Sequence, residues 1–436
     1  MKRYVFVLLV ILLCVMSCIS VSAEGTELPD LSRVQNVYIY NMENDCVLYS
    51  KNETTRIYPA STAKLMTGVI AVEFYEGDTD GYVTVTEEAL GNWKGKNIKL
   101  KVGEVLTVND LIYATVVGGA NDAANVLAYE IAGTHQDFLD AMNHKAKELG
   151  MTNTYYTSAF GYSDPDMYTT AEDVMKLAKY AYLVEGFMDI CSTVRYTVPE
   201  TNTSNQRYVY NSSSLVSTFA DVRYRNTSAM GMNAGSTVEG GYVVVTAVAK
   251  EGMTNLYVLM GGGYDDRQNY AYRAANQMIK WSFDNYSYRY ILNSGEMVSE
   301  IPVRLSSQVD YVVLSPVESV QYFLPHNVDI NSEIAKEIEL YYEDLEAPFE
   351  AGFVAGMVTL RYKGEIIAEV ELVTKNNVDR NGFLYILARI KSFTESPKFQ
   401  IVIICVLIVA FLYVGISIYK LTLGKRYRYK YQDPKK

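Results

Sequence analysis

An α+β body, followed by a small all-β module and a single C-terminal membrane-spanning helix, is the fold class this sequence predicts. Three observations carry it. Between Asn36 and Tyr286, strand-like runs at both ends enclose helical segments, the pattern of one antiparallel sheet whose edges come from distant parts of the chain. From about Glu296 only short β runs remain. Ile401 to Tyr419 holds no charged side chain and, at ~1.5 Å per residue, is long enough to cross a ~30 Å hydrocarbon core.

The elements follow in order. Val37–Tyr40 and Cys46–Tyr49 flank Asn44-Asp45 and read as a hairpin. Ser61 to Tyr75 has helical composition. Thr134 is the expected N-cap of a helix whose Phe138, Met142, Ala146 and Leu149 share one face, with Gly150 as its stop. Tyr242–Val248 and Leu256–Met260 are strands, and Arg267 to Phe283 is a closing helix. The β module is read from Ile301–Leu305, Tyr311–Leu314, Val320–Phe323, Ile338–Tyr341, and Met357–Tyr362 joined to Ile366–Leu372 by the turn Lys363-Gly364.

The ends set the compartment. Lys2 and Arg3 precede the short apolar run Tyr4–Val15, and Val21-Ser22-Ala23 is a small-residue cleavage signal, so residues 1–23 read as a secretory signal peptide; Cys18 offers a rival lipidation reading. After the span, seven Lys or Arg against Asp433 place residues 420–436 in the cytoplasm and the body outside. The apolar, aromatic Phe383–Ile390 reads as a segment lying on the membrane. Residues 1–23, 24–288, 289–382, 383–400, 401–419 and 420–436 are thus signal peptide, main domain, β module, juxtamembrane segment, span and basic tail.

The net charge of −11 hides segregation: residues 24–400 carry 30 basic and 49 acidic residues, a net of −19, which excludes a phosphate-binding footprint and hence nucleic acid. Only Cys46 and Cys191 lie outside the signal peptide and span, too few for a disulfide scaffold, although one bridge between them stays open. The three histidines, His135, His144 and His326, form no metal-ligand spacing, and no metal or cofactor is expected.

Chemistry concentrates at Pro59-Ala60-Ser61-Thr62-Ala63-Lys64. A serine at a helix start with a lysine three residues on lies on one face, so Lys64 is a candidate base for a Ser61 nucleophile without histidine. The bare pattern is weak, since Ser417 and Lys420 repeat it at the end of the span. Its context is specific. The stretch from Val37 through Ser61-Thr62-Ala63-Lys64-Leu65-Met66-Thr67, then Gly118-Gly119-Ala120-Asn121-Asp122-Ala123-Ala124-Asn125, then Lys147-Glu148-Leu149-Gly150-Met151, resembles the low-molecular-mass penicillin-binding proteins, the serine D-alanyl-D-alanine carboxypeptidases. Gly231 to Tyr242, Leu345-Glu346-Ala347-Pro348 and Gly364-Glu365-Ile366-Ile367-Ala368-Glu369-Val370 extend the resemblance to roughly residues 30–375.

The resemblance implies a penicillin-recognising, β-lactamase/transpeptidase-like α/β (α+β) domain with a sandwich-like β domain behind it. It implies acylation of Ser61 by the D-Ala-D-Ala end of a peptidoglycan stem peptide, release of D-Ala, and reaction with β-lactams. The family lines its site with S-x-x-K, S-x-N and K-T-G, and only the first is intact. The second reads Gly119-Ala120-Asn121, keeping the substrate-holding amide and losing the hydroxyl that relays a proton to the leaving amine. The third reads Asn233-Ala234-Gly235, losing the cation and hydroxyl for the substrate carboxylate. The oxyanion hole falls by position on the N–H groups of Ser61 and Ser236, which do not depend on side chains. Ser158-Ala159-Phe160-Gly161 lacks the histidine usual before the glycine.

These departures bear on the base. At pH 7 only about one in 2,500 lysines of ordinary pKa ~10.4 is neutral, and with Asn233 in place of the third-motif lysine, Lys64 loses a neighbouring cation that would lower its pKa. Lys94 or Lys96, in the loop Gly91–Lys99, is a candidate replacement. Two readings follow: a membrane-anchored carboxypeptidase of altered or impaired activity, with Ser61 as nucleophile, Lys64 as base, Asn121 positioning substrate and Asn233 to Ser236 lining its strand side; or a non-catalytic relative that binds wall peptides or scaffolds cell-wall partners, with Ser61 a capping residue and Lys64 solvated. A β-lactamase is set aside by the β module, the anchor and the lack of a recognisable deacylating-glutamate motif.

Overall fold

The structure, a computed structural model, describes residues 26–430 apart from 163 and 266; the side chains of 423–430 are outside the description. The expected signal peptide, Cys18 and most of the basic tail therefore lie outside the described residues. The chain forms two compact units, one built up to Ser287 with Pro325–Asn327, the other on Tyr288–Leu324 and the chain from Val328.

In the first unit the predicted hairpin is β1 (Asn36–Asn41) with β2 (Cys46–Lys51), turned at Asp45, whose φ is +46°. They join an antiparallel sheet with β7 (Ala229–Thr237), β8 (Gly241–Lys250) and β9 (Met253–Gly262) in the order β2-β1-β9-β8-β7. The sheet thus takes one edge from the start of the unit and the other from near its end, as expected. Every residue of β9 is buried, consistent with a central strand covered on both faces. Helix α1 (Ala63–Tyr75) is buried through most of its length among α2 (Val108–Val116), α3 (Asn121–Ala132), α4 (His135–Glu148) and α5 (Ala171–Leu183).

The helix ends follow capping chemistry. Thr134 accepts from the Asp137 N–H as the expected N-cap of α4, and Thr107 and Asp110 cap α2 reciprocally. The short α6 (Phe187–Ser192) follows α5 and leads to a β5 (Arg195–Val198) and β6 (Arg207–Tyr210) hairpin once the two-stranded ladder of β3 (Tyr82–Thr84) and β4 (Val105–Thr107) is counted earlier in the chain. The closing helix α7 spans Tyr270–Asn285, starting later than the Arg267 boundary because the Asn269 side chain accepts from the Ala271 and Tyr272 N–H groups while Asp265 holds Arg267 and Gln268 in a turn. Cys46 and Cys191 are free thiols; Cys191 is buried, which pushes its thiol pKa up.

In the second unit, β10 (Tyr286–Leu292) pairs with β13 (Val320–Pro325), and a six-stranded sheet runs β14-β16-β17-β12-β11-β15. Its strands are β11 (Ser299–Arg304), β12 (Tyr311–Pro316), β14 (Ile334–Leu340), β15 (Leu345–Glu346), β16 (Val354–Tyr362) and β17 (Glu365–Thr374). Ile291, Leu324, Ile301, Leu314, Val358 and Leu372 bring both sheets to one apolar core, the sandwich-like arrangement expected. Helix α8 (Gly382–Glu395), capped by Asn381, leaves Phe383, Ile386, Leu387, Ile390 and Phe393 exposed. In α9 (Pro397–Lys430), Pro397–Thr422 is long and apolar enough to cross a membrane, with none of its most apolar stretch buried.

Candidate active site

The chain reaches Ser61 through a constrained turn. Ala60 has φ +48°, Ala60–Thr62 form a single 3-10 turn, and the Thr62 hydroxyl donates to the Pro59 carbonyl at 2.7 Å. Ser61 caps nothing: no side-chain cap bond forms at this helix start. Two glycines permit the packing around it. A Cβ on Gly161, which has φ +81°, would lie 1.6 Å from the Ala60 carbonyl oxygen, and a Cβ on Gly235 would lie 2.7 Å from Ser61 Cβ and Oγ. Only a residue without a side chain lets the 158–161 loop and strand β7 approach this closely.

Lys64, the second residue of α1 and three residues on from Ser61, is 5% exposed. Its ammonium donates to Asn121 Oδ1 at 3.0 Å and to the Phe160 carbonyl at 2.8 Å, both neutral acceptors. Burial, and secondarily the charge of Lys96, lower its pKa to about 7. At neutral pH roughly half of such a lysine is an unprotonated amine. The reading of Lys64 as a solvated surface lysine is excluded by this burial.

Asn121 opens α3 and ties three elements together: its Oδ1 holds Lys64, its Nδ2 donates to the Lys94 carbonyl at 2.5 Å, and its backbone N–H donates to the Lys96 carbonyl at 2.8 Å. Beside it, the buried Asp122 carboxylate accepts from Ile98 and Leu100 N–H groups, while burial raises its pKa against the pull of those bonds. The loop 94–100 is thereby stitched to the start of α3.

On the opposite wall, the Ser61 hydroxyl donates to Asn233 Oδ1 at 2.8 Å. The Ser61 proton is thus held by Asn233, the residue expected at the third-motif lysine position, rather than by Lys64. Ala234, Gly235 and Ser236 continue this wall. Ser61, Lys64, Asn121, Lys94, Lys96 and Gly119 share with them a cavity of about 470 Å³, which Tyr162, Ser212 and Glu239 also line. Of the residues expected from sequence, Asn233 does not line this cavity; it sits behind it, 5% exposed, and acts through Ser61. Ser212 was not foreseen. It lies in the run Asn211-Ser212-Ser213-Ser214, where composition gives no signal, and only folding of the chain after β6 brings it to the cleft.

A serine on a strained turn, a buried lysine near neutrality, an asparagine at a helix start and a glycine-bearing edge strand define a serine acyl-transfer site on a penicillin-recognising fold. The chain belongs to the D-alanyl-D-alanine carboxypeptidase family, whose model matches residues 26–263; residues 286–380 match the C-terminal domain of penicillin-binding protein 5. It is 26% identical to the D-alanyl-D-alanine carboxypeptidase DacF of Bacillus subtilis over 79% of this chain and 85% of that one. Identity to DacA of Haemophilus influenzae is 27%, covering 84% of this chain and 91% of the relative. The crystal structure of penicillin binding protein 5 from Haemophilus influenzae superposes with a TM-score of 0.57 at 26% identity, covering 82% of this chain and all of that one.

Proposed function

We propose that this protein is a membrane-anchored serine D-alanyl-D-alanine carboxypeptidase that trims terminal D-Ala from peptidoglycan stem peptides. The observation that carries the reading is Lys64: buried, brought to a pKa of about 7, and placed in one cavity with Ser61 and Asn121. Neutral Lys64 takes the Ser61 proton as Oγ bonds to the carbonyl carbon of the penultimate D-Ala. The backbone N–H groups of Ser61 and Ser236 receive the developing oxyanion. As the C–N bond breaks, the proton on Lys64 passes to the leaving amine of D-Ala, and water then releases the acyl group. Asn121 holds the substrate backbone, and β-lactams acylate Ser61 by the same route.

The hydrogen bond from Ser61 to Asn233 favours impaired turnover, because it must be exchanged before Lys64 can receive the proton. The reading of a non-catalytic wall-peptide binder stands as the alternative. We place the body outside the cell, with a signal peptide at 1–23, a peptidase-like domain to 288, a β module to 382 that lifts the cleft toward the wall, a surface-lying segment to 400, a span at 401–419 and a cytoplasmic tail. The test is to incubate the full-length protein in detergent with a fluorescent penicillin and with a D-Ala-D-Ala pentapeptide, beside Ser61→Ala. Labelling and D-Ala release that vanish in the variant are expected; their absence in both proteins would leave the binding reading in its place.

A further inference from the structure

Asn233 stands where the family's third motif would carry a cation, and the low pKa of Lys64 comes first from its burial and second from the charge of Lys96. The surroundings of Gly119 show how Lys96 is placed. Gly119 has φ +67°, and a Cβ placed on it would lie 3.8 Å from Lys96 Cδ, 3.5 Å from Ser212 Cβ and 3.7 Å from Ser212 Oγ. The space into which a second-motif side chain would project is therefore bounded by the stem of Lys96.

Lys96 is not a lysine in a free loop. Its carbonyl takes the Asn121 N–H, the Lys94 carbonyl takes the Asn121 amide, and the Ile98 and Leu100 N–H groups are held by Asp122, so the backbone is fixed on both sides of residue 96. From the other side, Arg207 of β6 donates to the Ile98 carbonyl at 3.0 Å. Lys96 lines the cavity with the nearly enclosed Lys64; partial burial draws its own pKa down from the ordinary lysine value, while more than a third of its surface stays open to the solvent that supports its charge.

The other titratable groups around Lys64 are Lys94 and Tyr162 on the rim, where the Lys94 ammonium lies 5.7 Å from the Tyr162 ring, Glu239 in the β7–β8 turn, and Asp122 behind Asn121. Among the described residues the hydrogen-bond acceptors of Lys64 are the neutral Asn121 amide and Phe160 carbonyl, and after burial the charge of Lys96 is what lowers its pKa.

We propose that Lys96 is a positioning residue for acylation: standing beside the space that Gly119 leaves open, it supplies the positive charge that the third motif has lost at Asn233 and acts on Ser61 through Lys64. Lys96 exchanges no proton. Its charge repels the proton from Lys64, which then takes the one released from Ser61 Oγ as the Oγ–C bond forms and returns it to the leaving amine. The inference rests on the carboxypeptidase reading but concerns a relocated cation, which the family's motif pattern does not contain.

Two readouts on the full-length protein in detergent separate them. One is the pH dependence of fluorescent-penicillin labelling. The other, which needs no turnover, is the pH dependence of carbamylation of the Lys64 amine by cyanate, quantified by mass spectrometry. Lys96→Ala should raise the midpoint of both curves by about one pH unit, cutting labelling about fivefold at pH 7 with little change at pH 9.5, and Lys96→Arg should restore wild-type midpoints. An unmoved Lys64 midpoint in Lys96→Ala overturns the inference, as does an equal loss of labelling at every pH in both variants, the mark of a purely structural role. Wild-type protein that fails to label while its Lys64 midpoint still shifts overturns the carboxypeptidase reading and leaves the role of Lys96 standing.

Discussion

The floor and the rim of the cleft are built differently. The floor consists of Ser61, Lys64, Asn121, Gly161 and Gly235, where contacts are so close that side-chain identity is dictated: a buried base with two neutral acceptors, and two glycines that no larger residue could replace in place. At the rim, Gly119, Lys94, Lys96 and Ser212 stand on loops with room to spare, and a Cβ at Gly119 would make only ordinary contacts, strained by φ alone. Departures from the family's motif pattern fall at Gly119 on the rim, at Asn233 and Ala234 on β7, and at Phe160, which meets the floor only through its backbone carbonyl, whereas Ser61, Lys64, Asn121, Gly161 and Gly235 follow the pattern. Electrostatics acts over several ångströms and tolerates a cation arriving from another loop, whereas proton transfer and close backbone packing do not.

The contrast is broken most severely by filling the floor. Gly161→Ala forces Cβ against the Ala60 carbonyl at a positive φ, and should lower unfolding free energy by upward of ~4 kcal/mol and abolish penicillin labelling, read by urea denaturation and gel fluorescence. Retained labelling would show the floor to be as plastic as the rim.

A second test uses the buried base. With a folded pKa of about 7 against an ordinary 10.5, Lys64 binds fewer protons folded than unfolded across that window, so stability should rise with pH between them. The slope attributable to this residue is at most ~1.4 kcal/mol per pH unit. Lys64→Met should flatten it, measured as urea midpoints at pH 7 and 9. An unchanged slope would mean the amine is not desolvated.

Asn121→Ala removes both the acceptor for Lys64 and the tie to Lys94, and should cost ~1.5–3 kcal/mol of transition-state stabilisation, about 10- to 150-fold in labelling rate. The mildest change sharpens the comparison at its boundary. Asn233→Lys releases the Ser61 hydroxyl and restores a cation to β7, so labelling should quicken about tenfold; a slower rate would mark Asn233 as part of the floor.

Local pattern and motif order made much of this legible. The hairpin around Asp45, the cap at Thr134 and the Lys363-Gly364 turn joining β16 to β17 depend on neighbouring residues, and each formed as read. The late start of α7 was hidden, because the turn held by Asp265 and the Asn269 cap compete with helical composition only through side-chain hydrogen bonds. Ser61, Lys64 and Asn121 were found because the family's motif spacing marks them. Ser212 was not, because nothing in a serine run distinguishes the one residue that reaches the cleft.

By itself, the sequence determined the architecture: an α+β domain with a serine-lysine pair on a helix start, a β module, and a C-terminal helix apolar enough to span a membrane. Those features follow from periodicity, composition and fixed spacing along the chain. Only the tertiary structure decided which groups meet. It gave the proton of Ser61 to Asn233, buried Lys64 to a pKa of about 7, and chose Lys96 over Lys94 as the charge that acts on it. Desolvation and charge proximity are properties of three-dimensional distance, and residues 61, 96, 121 and 233 are brought together only when α1, α3, β7 and the loop before α2 pack around one cavity.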